Sequence, residues 1–287
     1  MLLRLKLDNL NIKFSQYKNI AVLFSSLMTI MTLIYLILQG IILGIELTGG
    51  IVIEIQSSDK NQEILDILTE NGLKVRSTQS NNNFSIYFAN TGQENKITEI
   101  KTLLEESLDD AIDYRKIDCI GPQVGKQQFA IGLKAILAAM IGIFLYLWLR
   151  FNWKFGLGSI IALIHDILLS LGFMSITLIE LNIASISALL TIIGYSVNNS
   201  VVIYDRIREY TRINQDGNID DQVVDTSINT TLTRTIFTSG TTVMSILPLS
   251  LMCTGPVRDF SLILIFGVLI GAYSSIFIST NVITHIL

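Results

Sequence analysis

Polar and ionisable side chains interrupt several stretches that are otherwise apolar. His165 and Asp166 stand in SIIALIHDILLSLGF, Asn198 and Asn199 in TIIGYSVNNSVVIYDR with Asp205 close behind, and Arg234 in INTTLTRTIFTSGTT. A carboxylate, an imidazole and a guanidinium in such surroundings suit proton binding, hydrogen bonding between helices, or tuning of a neighbour's protonation. They do not suit hydrolysis. No nucleophile has a base at helical spacing, no glycine-rich loop could cradle a phosphate, and no His, Cys or carboxylate cluster has metal-ligand spacing. An enzyme, a cofactor and a metal site are therefore not expected.

Asn199 precedes Asp205 by six residues, about 9 Å of helix rise. Arg234 stands at the inner end of its own run, so the two can lie at comparable depth. If these two runs pack as neighbouring helices, Arg234 can donate to Asn198, Asn199, Asp205 or Asp166. The alternative is a guanidinium that snorkels to the headgroups on its long stem. Neighbouring residues of a helix point to different faces, so His165 and Asp166 are expected to bond to other helices and not to act as a relay by themselves.

The elements that must hold these residues are membrane spans. Half of the chain is hydrophobic, only 15% is charged, and mean hydropathy is +0.55, a balance that favours lipid over water as the solvent. Six apolar runs, 20–43, 130–149, 155–178, 183–204, 235–252 and 260–283, each reach the roughly 18 residues that cross a hydrocarbon core as helix. The first is too long for a signal-peptide core and has no small-x-small cleavage site, so it reads as a retained anchor. Arg4, Lys6, Lys13 and Lys18 precede it; Arg150 and Lys154 separate the second and third runs, and Arg206, Arg208 and Arg212 follow the fourth. Basic residues are kept on the cytoplasmic side, which puts residues 1–19, the loop 206–233 and both termini inside. In that loop, NQDGN at 214–218 reads as a turn. Residues 220–228, with Val223, Val224 and Ile228 along one side, read as a short helix resting on the inner membrane surface.

Small residues recur at the spacing of close helix contacts: Gly194 in the fourth run, Gly240 in the fifth, Gly267 and Gly271 in the sixth, with Ser196, Ser200, Ser274 and Ser275 among them. They predict a tightly packed bundle, 130–287, that can rearrange.

Residues 44–129 are different. Strands at 51–55, 73–78, 84–89 and 111–120 alternate with amphipathic helices at 61–70 and 95–108, the β-α-β-β-α-β order of a ferredoxin-like α+β domain, here extracytoplasmic. Turn formers fall at 71–72 and 80–83. From 45 to 128 there are fourteen Asp and Glu against eight Lys and Arg, so nucleic acid is not a partner. The chain leaves the first span through Glu46, Leu47, Thr48, Gly49 and Gly50, where the paired glycines set a bend. Cys119 and Cys253 are isolated in sequence and read as unpaired structural residues.

In their order, GIELTGGIVIEI, CIGPQVGKQ, ALIHDILLSLGF, SALLTIIGYSVNNSVVIYDRIRE, SINTTLTRTIFTSGTT and RDFSLILIFGVLIGAYSSIFIS resemble the SecF family of the bacterial protein-export machinery, within the resistance-nodulation-division superfamily. The resemblance implies a six-helix subunit paired with a SecD-like subunit beside the SecYEG channel. It would act on exported unfolded polypeptide among the membrane lipids, using the proton-motive force and hydrolysing no nucleotide. It also implies a departure: the family commonly has Asn-Asp where this chain has Asn198-Asn199, with the Asp taking part in proton coupling beside the residue matching Arg234. Asparagine cannot titrate. A carboxylate elsewhere, in the partner above all, would then load the proton while Arg234 tunes it. Two other readings stay open: a non-coupling stabiliser of the translocon, and half of a small-molecule or lipid exporter of the same superfamily.

Overall fold

The apolar runs fold as long helices because, without water, a backbone must satisfy its own N–H and C=O groups. The computed structural model describes residues 12–286, apart from 57–60, 72, 74, 81–82, 90–93, 108–113 and 214–218. The turn expected at 214–218, parts of those at 71–72 and 80–83, residues 111–113 of the last strand, and Arg4 and Lys6 lie outside the described residues.

Helix α1 (Phe14–Gln39) stops at Gly40, whose φ of 73° continues no helix. Residues 41–43 are not helical, and Leu43 bridges to Leu181. The first span thus begins and ends earlier than expected. The short α2 (Ile45–Thr48) leads into β1 (Gly50–Gln56), α3 (Asn61–Glu70), β2 (Val75–Ser80), β3 (Asn83–Ala89), α4 (Glu94–Ser107) and β4 (Tyr114–Ile120). Among the described residues these strands form one antiparallel sheet of order β2-β3-β1-β4. The second strand lies two residues later than its expected place. Ile51, Ile53 and Ile55 alternate onto one buried face of β1, where Ile64 and Leu68 of α3 and Ile100 and Leu104 of α4 cover them.

The sheet is joined to the helices at adjacent positions, since Gly50 and Ile120, the two ends nearest the bundle, are cross-strand partners. Each connection is a single glycine, Gly49 between α2 and β1 and Gly121 between β4 and the helix that begins at Pro122. Gly49 has φ 78°, and a Cβ there would sit 2.5 Å from Pro122 Cα; a Cβ on Gly125 would sit 2.5 Å from the Gly49 nitrogen. Only glycine admits this crossing of backbones.

The chain continues through α5 (Pro122–Arg150), α6 (Trp153–Thr177), α7 (Ile183–Ile213), α8 (Asp221–Met252) and α9 (Pro256–Ser274), then a π segment, Ser275–Ser279, and α10 (Thr280–Ile286). Among the described residues, six helices are long and apolar enough to cross a membrane, the last spanning Pro256–Thr284. About half of the apolar window is buried in α6, α7 and the last span, against 11–17% in α1, α5 and α8. The first three are therefore the core of the bundle, and the others flank it.

Residues 220–228 are not a separate surface helix. Asp220 caps α8 by accepting the Val223 N–H at 2.8 Å, and the helix runs unbroken from there through Arg234 to Met252. Val223, Val224 and Ile228 pack on Ile203, Tyr204 and Ile207 of α7. The apolar side that predicted a membrane surface is buried against a neighbouring helix instead.

Candidate functional site

Asp166 is wholly buried at the middle of α6. Its Oδ2 accepts the Ser196 hydroxyl of α7 at 2.6 Å and the Ser274 hydroxyl of α9 at 2.7 Å. Its Oδ1 lies 3.2 Å from His165 Nδ1. Close packing of α7 on α9 produces this convergence. Gly267 admits Ile192, and a Cβ on Gly271 would come 3.1 Å from Ser196 Cβ, so the two helices approach near enough for both serines to reach one oxygen. Two hydroxyl donors on one oxygen, with His165 against the other, are the kind of partners a carboxylate removed from water requires.

The interhelical bonds to Asp166 match the expectation, but the expectation that His165 and Asp166 diverge does not hold. Their side chains curl toward each other across the α6 surface. In the tautomer that carries its proton on Nδ1, the imidazole donates to Asp166 and presents Nε2 as an acceptor. That atom is buried and has no hydrogen-bond partner. His165, only 6% exposed, also lines a groove of about 970 Å³ between α1, α6 and the last span.

The remaining residues do not gather around Arg234. Among the described residues, no hydrogen bond or ion pair joins Arg234 to Asn198, Asn199, Asp205 or Asp166. Arg234 is exposed on α8; Asp205 pairs with Arg150 at 3.5 Å, and Asp166 is occupied as described. Asn198 is exposed on α7, whereas Asn199 is 3% exposed, with its Nδ2 buried and unpartnered. The glycines divide likewise. Gly267 and Gly271 face α7, but a Cβ at Gly194 or Gly240 would meet nothing within 4 Å, so neither packs within this chain.

A second polar node was not foreseen. Tyr204 is fully buried, its hydroxyl 3.0 Å from Ser159 Oγ of α6 and 2.6 Å from Ser279 Oγ of the π segment. The signal available is a tyrosine immediately before the charged end of α7, where a buried hydroxyl demands partners. In the sequence Ser196 and Ser274 stand out only as small hydroxyl residues of a tightly packed bundle.

The region from 99 to 287 matches the family model for the protein export membrane protein SecD/SecF, C-terminal. Protein translocase subunit SecF of Rickettsia akari (strain Hartford) is 42% identical, over 98% of this chain and 94% of its own. This chain belongs to the SecF family. Subunit SecF of Rickettsia conorii is 41% identical over the same shares. The crystal structure of SecDF, a translocon-associated membrane protein from Thermus thermophilus, superposes with a TM-score of 0.87 at 28% identity, over 97% of this chain. SecDF in its super-membrane-facing form gives 0.66, also at 28% identity. This SecF-family chain spans 39% and 38% of those two SecDF chains. Every residue of the Asp166 and Tyr204 clusters lies inside the family match.

Proposed function

We propose that this SecF-family chain is an accessory subunit of the Sec translocase in the bacterial inner membrane. It pairs with a SecD-like subunit beside the SecYEG channel and promotes export of unfolded polypeptide at the expense of the proton-motive force. In this reading both termini are cytoplasmic, and the sheet of order β2-β3-β1-β4 is a ferredoxin-like domain on the outer side.

The observation that carries the pairing is a polar row on the outside of the bundle. Along α7, Ser187, Thr191, Gly194 and Asn198 are exposed, and along α8, Arg234, Thr241 and Ser245 are exposed. The hydroxyls bond to carbonyls of their own helices, but Asn198 and Arg234 would be costly against lipid tails. A partner's helices would cover this row and bring a carboxylate to Arg234, whose charge would favour the ionised form. The SecDF chains, of which this chain covers about two-fifths, have length to spare for such a partner.

Two measurements test the proposal. A SecD-like chain should co-purify with this protein and form disulfide cross-links to Thr191→Cys or Thr241→Cys; absence of both overturns the pairing. Replacing Arg234 by Met should then abolish most of the export driven by an imposed proton gradient, and wild-type rates would refute its role.

Asn199 favours a second reading, the subunit as a stabiliser that couples no ion, since position 199 is neutral and buried. Vesicles with separately imposed proton and sodium gradients distinguish proton coupling, sodium coupling and neither. Asn199→Asp should raise proton-driven export only where the rest of the path is intact.

A further inference from the structure

We propose that the groove between α1, α6 and the last span holds one acyl chain of an anionic phospholipid, whose phosphate sits between Lys18 and Lys154. The site lies apart from the polar row on α7 and α8 assigned above to a partner subunit.

The groove has the length and the lining of a chain site. Along α1 it runs from Asn19 to Ile30, about 16 Å of helix. That is close to half of a hydrocarbon core of about 30 Å, the depth of one leaflet. Its volume of about 970 Å³ falls at the upper end of the roughly 300–1,000 Å³ of small-ligand sites. Val22, Leu23 and Ile30 of α1 and Ile161 and Ile164 of α6 are exposed along it. Ser25 and Thr29 also line it, but their hydroxyls are engaged with Tyr273 and with the Ser25 carbonyl, so an apolar occupant strands neither.

Cations stand at one end only. Lys18 precedes Val22 by four residues and shares its face of α1. Lys154 precedes Ile161 by seven, two turns along the face of α6 that lines the groove. The two helices run parallel. A Cβ on Gly172 would press on Thr32, and further along both helices the Ser175 hydroxyl donates to the Gly40 carbonyl. Matching Gly172 to Thr32 sets Lys154 level with Phe14, about 6 Å of helix rise from Lys18. Both lysines are therefore at the mouth of the groove, where a headgroup would lie above its chain.

Their charge selects the headgroup. Lys18 donates to both carboxylate oxygens of Asp221 at 2.9 Å, while Lys154 has no ion pair among the described residues. Two lysines against one carboxylate leave a positive charge, which attracts an anionic lipid and disfavours one carrying its own ammonium. The leaflet is the one in which α1 begins. With cytoplasmic termini it is the inner leaflet, but the site does not rest on that assignment.

The test is quenching of a single tryptophan by brominated lipid, in vesicles of equal composition on both faces so that topology does not enter. Trp148 and Trp153, the two tryptophans of the sequence, are replaced by Phe. Val22→Trp then reports on the groove, and Leu137→Trp on an exposed position of α5. Brominated phosphatidylglycerol diluted into phosphatidylcholine should quench the groove reporter at a several-fold lower fraction than the α5 reporter. Ser26→Phe, which fills the groove, should remove that difference. Lys154→Gln should weaken the preference for phosphatidylglycerol over phosphatidylethanolamine about five-fold, the effect of one cation near the surface. Equal quenching of the two reporters overturns the site. Equal quenching by the two lipids, or a preference unmoved by Lys154→Gln, overturns the anionic headgroup. A cross-link from Ile164→Cys to a SecD-like chain would mean that a partner helix fills the groove, and also overturns the site. If a reporter variant does not fold, native mass spectrometry of the unmodified chain released from mixed vesicles carries the test: one phosphatidylglycerol should be retained, and a bare chain refutes the proposal.

Discussion

Ser15, in the first turn of α1, places both its backbone N–H and its hydroxyl on the carboxylate of Asp225, at 2.8 and 2.6 Å. Helix α1 has no side-chain cap of its own, Lys13 being its N-cap, and a residue of α8 supplies the missing acceptor. Asn229, one turn further along α8, accepts the Ile12 N–H and donates to the Ile12 carbonyl. Because little of α1 is buried, this clasp is a large share of what seats its first turn. Asp225→Ala should destabilise the docking of α1 by about 1–2 kcal/mol. The check is faster hydrogen exchange of the Ser15 and Gln16 amides, with the four-stranded sheet unchanged.

The glycines of the bundle should separate into two kinds. A Cβ on Gly267 would collide with Ile192, which is fully buried and has no room to move. Gly267→Ala should therefore cost roughly 1–3 kcal/mol and lower the melting temperature of the chain alone. Gly194→Ala and Gly240→Ala should stay within about 0.5 kcal/mol of the parent. Any effect of these two should surface only as weaker association with a partner. Equal destabilisation by all three would contradict the α7–α9 contact described above.

Gly49→Ala should be among the most damaging changes outside the spans. A φ of 78° costs an alanine about 1–2 kcal/mol, and its Cβ would press on Pro122. The expected result is a lower melting temperature with increased protease cleavage near residue 49. Wild-type resistance would show that the backbone crossing is dispensable.

Tyr114 gives the four-stranded sheet an alkaline limit. Burial, and secondarily the Glu105 carboxylate, raise its phenol above the usual 10.0. A folded value above the unfolded one means that stability is intact below the unfolded value and is lost as pH rises through the folded one. Thermal melts at increasing alkaline pH should therefore show a decline that Tyr114→Phe reduces.

Much of this fold was legible in the sequence, and the parts that were not share a cause. Apolar length announces a span and period-two alternation announces β1, since both depend on neighbours in sequence. The Asp166 cluster depends on the facing of three helices, and Ser196 and Ser274 lie 30 and 108 residues away. Nothing local told either serine's role from that of a packing residue. The same ignorance of facing drew Arg234 toward Asn199 and Asp205, when α8 turns it outward. For residues 220–228 the amphipathic pattern was real, but periodicity does not name the surface it rests on, and α7 claimed it in place of lipid.

The paired positions Gly50 and Ile120 carry a mechanical consequence. The four-stranded sheet is held by two tethers side by side, one through Gly49 and one through Gly121. Two adjacent pins define an axis: rotation of the sheet about the line through them is the displacement that both tethers can follow together. A tilt of α5 would therefore reach the far edge of the sheet at β2 as an arc, enlarged by the width of the intervening strands.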